Sequence, residues 1–506
     1  MIMSDSRTKN ATRNIVVGVL YKVVTLLLPF ITRTLLLYLL GTASLGVSTL
    51  FTSILSFLSL AELGFGAAIV YAMYRPIAEN NYQELNALLM YYRKLYRIIG
   101  VAILLIGICL IPFLRFLIKG ETPENVNIPV LYCMYLFNSV ISYFVAGYRQ
   151  SLLIAYQRTD IRDKIALVIT VCVRIMEILS LYLTKNLYVF VFMSIIGTIA
   201  TNIITAIITK NMYPSIECKG NVSKETRKEI SKKLGGLFGT KLNSIVVNQA
   251  DTIVISAFLG LTMLAQYGNY YYILNAISGF VMIIFSSMTA GIGNKIASDT
   301  KEEVYRLFKK INFINNWIVG WCFVCLLCLY KPFMILWVKE ELTLPVLMSI
   351  LMACYFYIYQ IQRTILTFKD AGGLWYEDRF RPYVSMVFNL TSNIILVQFI
   401  GIYGVVVSTI LAFFISLPWC NYVVFKNMFQ KSAFNNLLIM LMNFAITSLV
   451  CALTYLICSV CHNGAIGLVE KIIVCCVIPN VIYYVVYHKR DEFLEMFSLL
   501  KSYVRR

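Results

Sequence analysis

The sequence predicts an all-α integral membrane protein, and three observations carry that prediction. Hydrophobic residues make up 59% of the 506 residues and charged residues only 14%, against about 25% charged in a soluble chain. The mean hydropathy is +0.75, more apolar surface than a water-soluble fold of this length can bury. Only 11 Pro and 26 Gly punctuate the chain, which suits long helices. A membrane β-barrel would instead show short, weakly alternating segments.

A spanning helix needs about 20 apolar residues, and the chain supplies fourteen such runs. The first two, 14–39 and 43–71, flank Gly41. The next four are 95–118, 127–154, 164–184 and 187–210. A basic polar loop, 211–235, then separates six spans from eight. The second set begins with 236–259, 267–293, 311–336 and 344–368. Spans 382–400 and 403–425 are divided by a tight turn at Gly401 and Gly404, and 434–461 and 467–487 complete the count. The first run is too long for a cleaved signal peptide, and no small-residue cleavage site follows it. Domains are expected at 1–235 (spans 1–6 with the basic loop), 236–426 (spans 7–12) and 427–506 (spans 13–14 and a tail).

Fourteen spans put both termini on one side. With the N-terminus inside, the inner loops hold 32 Lys and Arg, and the outer loops hold only Lys119, Lys185 and Lys339. Inner loops of membrane proteins carry such an excess, so both termini are expected to be cytoplasmic. The same distribution accounts for the net charge of +19 without nucleic acid, which would call for a basic soluble face.

No loop is large enough for a soluble catalytic or nucleotide-binding domain. The P-loop lookalike at 236–241 lacks the Gly-Lys-Ser/Thr order. Two His, His462 and His488, leave little for metal or acid–base chemistry. Cys322, Cys325 and Cys328 form CxxC spacings inside an apolar run, as do Cys458 and Cys461 near a run's end. With no His or carboxylate cluster beside them, they read as small buried hydrophobes. No cofactor, metal or catalytic residue is expected.

A shift of 219 residues aligns two helical pairs. Leu40-Gly41 meets Leu259-Gly260, Ser59 meets Ser278, Ile77-Ala78 meets Ile296-Ala297, and Glu84 meets Glu303. An offset of six spans makes a parallel repeat, and paired lobes with a site between them are a transporter architecture.

Charges inside spans are costly, about 2.5–3.5 kcal/mol near mid-bilayer on insertion scales, so they face cavities or partners. Lys22, Pro29 and Arg33 lie on one stripe of the first span, the two charges about 16 Å apart in depth. Lys241, Ser244, Asn248 and Asp251 share a stripe on the seventh. In the repeat Asp251 aligns with Thr32, next to Arg33, so opposite charges sit at similar depth. They read either as an interlobe salt bridge or as groups that line or close a cavity. Arg174 and Glu177, three apart, read as a structural pair. Glu62, beside Gly64 and Gly66, and Arg363 are further cavity candidates. The set Lys22, Arg33, Lys241 and Arg363 against Glu62 and Asp251 favours an anionic head group, with Glu62 and Asp251 as ion-coupling candidates.

Several stretches also carry a family resemblance. They are Leu-Leu-Gly-Thr-Ala-Ser-Leu-Gly at 39–46, Leu-Ser-Leu-Ala-Glu-Leu-Gly-Phe-Gly at 58–66 and Tyr-Arg-Pro-Ile-Ala at 74–78. Asn-Gln-Ala-Asp-Thr-Ile-Val-Ile-Ser at 248–256, Gly-Asn-Tyr at 268–270 and Gly-Leu-Trp-Tyr-Glu-Asp-Arg-Phe-Arg-Pro at 373–382 complete the set. In order and spacing the chain resembles the Wzx-type, polysaccharide-export flippases of the MATE-like MOP superfamily. The resemblance implies two pseudo-symmetric six-helix lobes in a V around a central cavity, plus two C-terminal helices. It implies alternating-access transfer of an undecaprenyl-pyrophosphate-linked oligosaccharide (O-antigen, capsule or exopolysaccharide) to the outer leaflet of the cytoplasmic membrane. A polysaccharide polymerase and chain-length machinery are the partners that go with it. Lipid II flippases and other MATE-like exporters are alternatives, although drug antiporters typically have twelve spans. A membrane-embedded polymerase or ligase is the reading from a different class, and it would place its catalytic residues in a large outer loop.

Overall fold

The structure, a computed structural model, describes the backbone of residues 2–62 and 64–495. It describes the side chains of that stretch except 2–16, 19, 61, 229, 231–238, 240, 241, 248 and 290. Everything described is helix, turn or loop, with no strand among the described residues. The helices gather into two compact units, Met1–Ala265 and Gln266–Arg506.

The first unit holds α1 (Ile2–Leu58), α2 (Phe65–Ala78), α3 (Tyr82–Leu110), α4 (Ile128–Phe144), α5 (Gln150–Ala155), α6 (Thr159–Thr184), α7 (Leu187–Met212) and α8 (Lys224–Leu259). Helix α9 (Leu261–Ser298) begins in it. The second holds α10 (Lys301–Val338), α11 (Val346–Ile361), α12 (Arg363–Ala371), α13 (Arg381–Ile400), α14 (Ile402–Val424), α15 (Ala433–Ser459) and α16 (Gly464–Tyr487).

Local sequence sets the boundaries. Asn81, Asn127, Asn186 and Ser223 each accept a backbone N–H at the start of their helix, satisfying a donor that has no partner inside the helix. Gly401 separates α13 from α14 at φ 56, as the Gly401/Gly404 spacing predicts. The offset of 219 appears directly in the backbone. Gly41 breaks α1 at φ 81, ψ 174, and Gly260 separates α8 from α9 at φ 91, ψ 174, a region essentially reserved for glycine. Asn81 and Thr300, also 219 apart, both cap a helix by accepting the N–H of a glutamate three residues on, Glu84 and Glu303.

Eleven helices among the described residues are long and apolar enough to cross a membrane. The count is twelve if α4 and 147–155, bent by 53°, form one broken span. The expected fourteen differs in two places. Residues 20–58 count as one span although Gly41 divides them. Helix α11 is only 16 residues long, because the chain breaks at Gln362 before α12.

In the first unit α1 packs on α6, α8 and α4, and α3 packs on α4. A Cβ at Gly46 would collide with the backbone of Leu261, so glycine permits that approach. The segment after α3 closes the end of α8: Ser256 donates to the Leu117 carbonyl at 2.6 Å, and the Lys119 ammonium donates to the Phe258 carbonyl at 2.8 Å. A cation there also complements the negative end of the helix dipole.

In the second unit α10 is central, packing on α11, α15 and α16. Pro479 has no N–H to give the Cys475 carbonyl, which therefore lacks its helical donor. The Trp321 indole of α10 supplies one at 2.9 Å, and Trp317, one turn earlier, donates to Asn480 at 2.8 Å. Tyr483 crosses over Gly320, where a Cβ would collide with its hydroxyl. Helix α16 is thus fastened to α10 by specific side chains.

Candidate functional site: membrane-embedded charges

Glu62 ends the short 3-10 turn that leaves α1, and Gly64 follows at φ 80. Its carboxylate accepts hydrogen bonds from the Tyr96 and Tyr143 hydroxyls, both at 2.7 Å. The Tyr92 ring lies 4.7 Å from that of Tyr96, and Tyr96 lies 5.1 Å from Tyr143. A Cβ at Gly66 would sit 2.9 Å from the Tyr92 hydroxyl, so Gly66 makes room for this aromatic group. The carboxylate is therefore held in place by two donors in a half-buried setting. These tyrosines are not among the site residues that the sequence predicts. Their signal is the i, i+4 pair Tyr92/Tyr96 on a helix otherwise basic at this end, but Tyr143 joins them only through packing.

Arg33 and Asp251 both lie in the first unit, on the packed helices α1 and α8. Arg33 precedes the Gly41 break by eight residues and Asp251 precedes Gly260 by nine, so each lies about 12–14 Å below its break. Asp251 is buried, Arg33 is half-buried, and an Arg33 Nη2 donates to the Ala265 carbonyl at 3.4 Å. Lys22 is exposed on α1. The Lys241 side chain lies outside the described residues.

Arg363 opens α12, immediately after the break at Gln362. Its guanidinium sits 5.2 Å over the Tyr359 ring. Its Nε and Nη2 are buried with no hydrogen-bond partner among the described residues, as are both polar atoms of the Gln360 side chain and Oε1 of Gln362. Asn315 donates to the Gln360 and Ile361 carbonyls at 3.1 and 3.2 Å. Buried groups in this condition call for water or a ligand. Arg363 is thus in the second unit, whereas Glu62, Arg33 and Asp251 belong to the first.

Arg174 and Glu177 pair at 2.5 Å, and Ser194 also donates to Glu177 at 2.5 Å. They edge a pocket of about 240 Å³ that includes Asn138, Thr170 and Thr198. A further ion cluster has little sign in the sequence. Lys369 and Arg381, expected to be loop charges, are 2% and 7% exposed. Asp378 accepts two bonds from Arg381, at 2.7 and 2.6 Å, and lies 3.4 Å from Lys369. Ser416 takes the remaining Arg381 bond at 2.7 Å. The Asp378/Arg381 spacing of three is the only local sign of it.

Comparison with known proteins places these features. The family model described as "Polysaccharide biosynthesis protein" matches residues 11–289, over half of the chain. Among solved structures, the lipid II flippase MurJ, in an inward closed conformation, is similar with a TM-score of 0.62 at 14% identity, covering 94% of this chain and 98% of its own. A MATE transporter of Vibrio cholerae gives 0.54 at 16% identity, over 84% of this chain and 100% of its own. A eukaryotic MATE transporter gives 0.55 at 10% identity, over 85% and 98%. No curated protein sequence matches. The fold is that shared by the lipid II flippase MurJ and the MATE transporters. The chain belongs to the family described as polysaccharide biosynthesis protein.

Proposed function

We propose that this protein flips a polyprenyl-pyrophosphate-linked oligosaccharide, an undecaprenyl-linked repeat unit of O-antigen, capsule or exopolysaccharide, from the inner to the outer leaflet of the cytoplasmic membrane by alternating access. The observation that carries the reading is the family match over residues 11–289. The surplus of cations over carboxylates among the membrane-embedded charges supports an anionic head group. In this reading fourteen spans leave both termini cytoplasmic. The lobes are 1–235 and 236–426, with 427–506 added, and a polymerase and chain-length machinery receive the product.

The lipid tail stays in the bilayer, so only the polar head needs a path. Lys22, Arg33, Lys241 and Arg363 are its proposed contacts, because fixed cations offset the cost of holding an anion away from water. The inside of the cell is negative. A potential of 100 mV contributes about 2.3 kcal/mol per charge, hence about 4–5 kcal/mol for a pyrophosphate, a bias of more than a thousandfold. A second reading draws on the tyrosine-held carboxylate of Glu62: proton or sodium antiport through Glu62 or Asp251.

Deleting the gene tests the function. Lipid-linked repeat units should accumulate on the cytoplasmic face and reappear outside on complementation. Normal export in the deletion strain would remove the proposal.

A further inference from the structure

All fourteen cysteines are free thiols, and the structure gathers some of them in a way their spacing conceals. Cys328 of α10, Cys458 of α15 and Cys475 of α16 are all buried, and their sulfur atoms lie within 4.8 Å of one another. The Cys458 and Cys475 sulfurs are 3.9 Å apart. Cys325 reaches the Cys475 carbonyl at 3.9 Å, and Cys451, also buried, interacts with Cys328. The CxxC partners of the sequence contribute one member each, Cys328 and Cys458. The third comes from a different helix.

We propose that Cys328, Cys458 and Cys475 form a binding site for a soft monovalent metal ion of the copper(I) class. Three sulfurs at metal–sulfur distances of about 2.3 Å stand about 4 Å apart, so the observed spacing needs a contraction of under about 1 Å. Thiolate donors select soft ions, and among the described residues no carboxylate or imidazole joins the group. Three ligands suit copper(I) better than zinc, whose structural sites take four.

The charge balance also favours a monovalent ion. Each sulfur that binds as a thiolate releases its proton to solvent, so one copper(I) needs only a single thiolate to form a neutral complex, with the other two sulfurs as weaker soft donors, whereas a divalent ion needs two. A neutral complex avoids the penalty of an unpaired charge in a dry interior. The carbonyls of Cys328 and Cys475 precede Pro332 and Pro479 by four residues, so neither receives its helical N–H. Occupancy would tie α15 and α16 to α10 at the seam where Trp317 and Trp321 already bind.

The test uses the full chain, purified with its thiols reduced and titrated without oxygen against copper(I) buffered by bicinchoninate. The expected result is one copper per chain, three sulfur neighbours by X-ray absorption, and a metal-dependent rise in the thermal midpoint. Cys328→Val and Cys475→Val keep the packing apolar while removing a ligand. They should lose affinity by more than the roughly 10–100-fold typical of an outer-shell change. Cys109→Val and Cys172→Val, at exposed positions away from the cluster, should bind as the parent does. Failure of the parent to take up copper overturns the proposal. So does uptake that persists unchanged in Cys475→Val protein whose metal-free melting matches the parent.

Discussion

The two copies of the internal repeat share a backbone and differ in chemistry. Gly41 and Gly260 adopt nearly the same dihedral angles, and Asn81 and Thr300 cap equivalent helices. At the membrane-embedded positions the copies diverge. The first has Thr32-Arg33 where the second has Asp251-Thr252, and Glu62 of the first corresponds to the buried Val281 of the second. A break that only glycine tolerates and a cap that needs a short polar side chain are demands of the chain itself, so each copy meets them alike. Side chains that meet a substrate have no such reason to match. The positions where the copies disagree are therefore the ones to probe for function.

The largest effect should come from reversing the mismatched charges. Arg33→Asp and Asp251→Arg should each reduce export by more than tenfold, a loss above about 1.4 kcal/mol, measured as accumulated lipid-linked units. Combining them separates the two roles. A salt bridge predicts recovery in the double variant, whereas head-group contact predicts that it stays inactive.

Next come the shared breaks. Gly41→Ala should destabilise by about 1–3 kcal/mol from backbone strain alone, because a Cβ there meets nothing within 4 Å. Gly260→Ala should cost more, since its Cβ would press on the Lys119 carbonyl at 2.7 Å. Thermal unfolding in detergent measures both, and equal losses would break the argument about the Lys119 segment.

A smaller effect is expected at Glu62. Replacing it with Gln leaves one acceptor for two tyrosine hydroxyls, a loss of about 1 kcal/mol. If Glu62 couples transport to protons, the same change should also remove any dependence on a pH gradient. Val281→Glu in the other copy should create no such dependence.

The smallest effect distinguishes the two caps. The Glu303 carboxylate accepts from the Thr300 N–H and hydroxyl at 2.9 and 2.8 Å, and these bonds, the backbone one first, hold it below the usual carboxylate range. Its contribution is therefore present above the ordinary glutamate value of about 4.3 and lost as pH falls through the lower folded value. Amide exchange at the start of α10 should rise over that acid window. The Asn81 cap, where Glu84 accepts a single bond at 3.2 Å from the Asn81 side-chain amide, should change less there.

Much of this fold was legible in the sequence because hydrophobic runs, loop charges and glycine turns are local signals. The runs around 382–425 and the turn at Gly401 appear where expected. What packing assembles was not legible. Tyr143 reaches Glu62 from 81 residues away. Cys475 meets Cys328 on a helix that follows no CxxC pattern. Lys369 and Arg381 looked like loop cations, and only folding brings both to Asp378. The charges along single helices could be found by periodicity, whereas their partners on other helices could not.

The most direct test of the central claim is flipping itself. The purified protein in vesicles, supplied with a fluorescent polyprenyl-pyrophosphate oligosaccharide, should move it between leaflets without ATP. Transfer should accelerate when a potential negative on the donor side is imposed with no ion gradient, and Arg33→Asp should abolish it. Flipping that ignores the potential, follows only a pH or sodium gradient and loses that dependence in Glu62→Gln or Asp251→Asn would contradict the electrogenic account. Vesicles that show no transfer under any of these gradients would contradict the flippase reading itself.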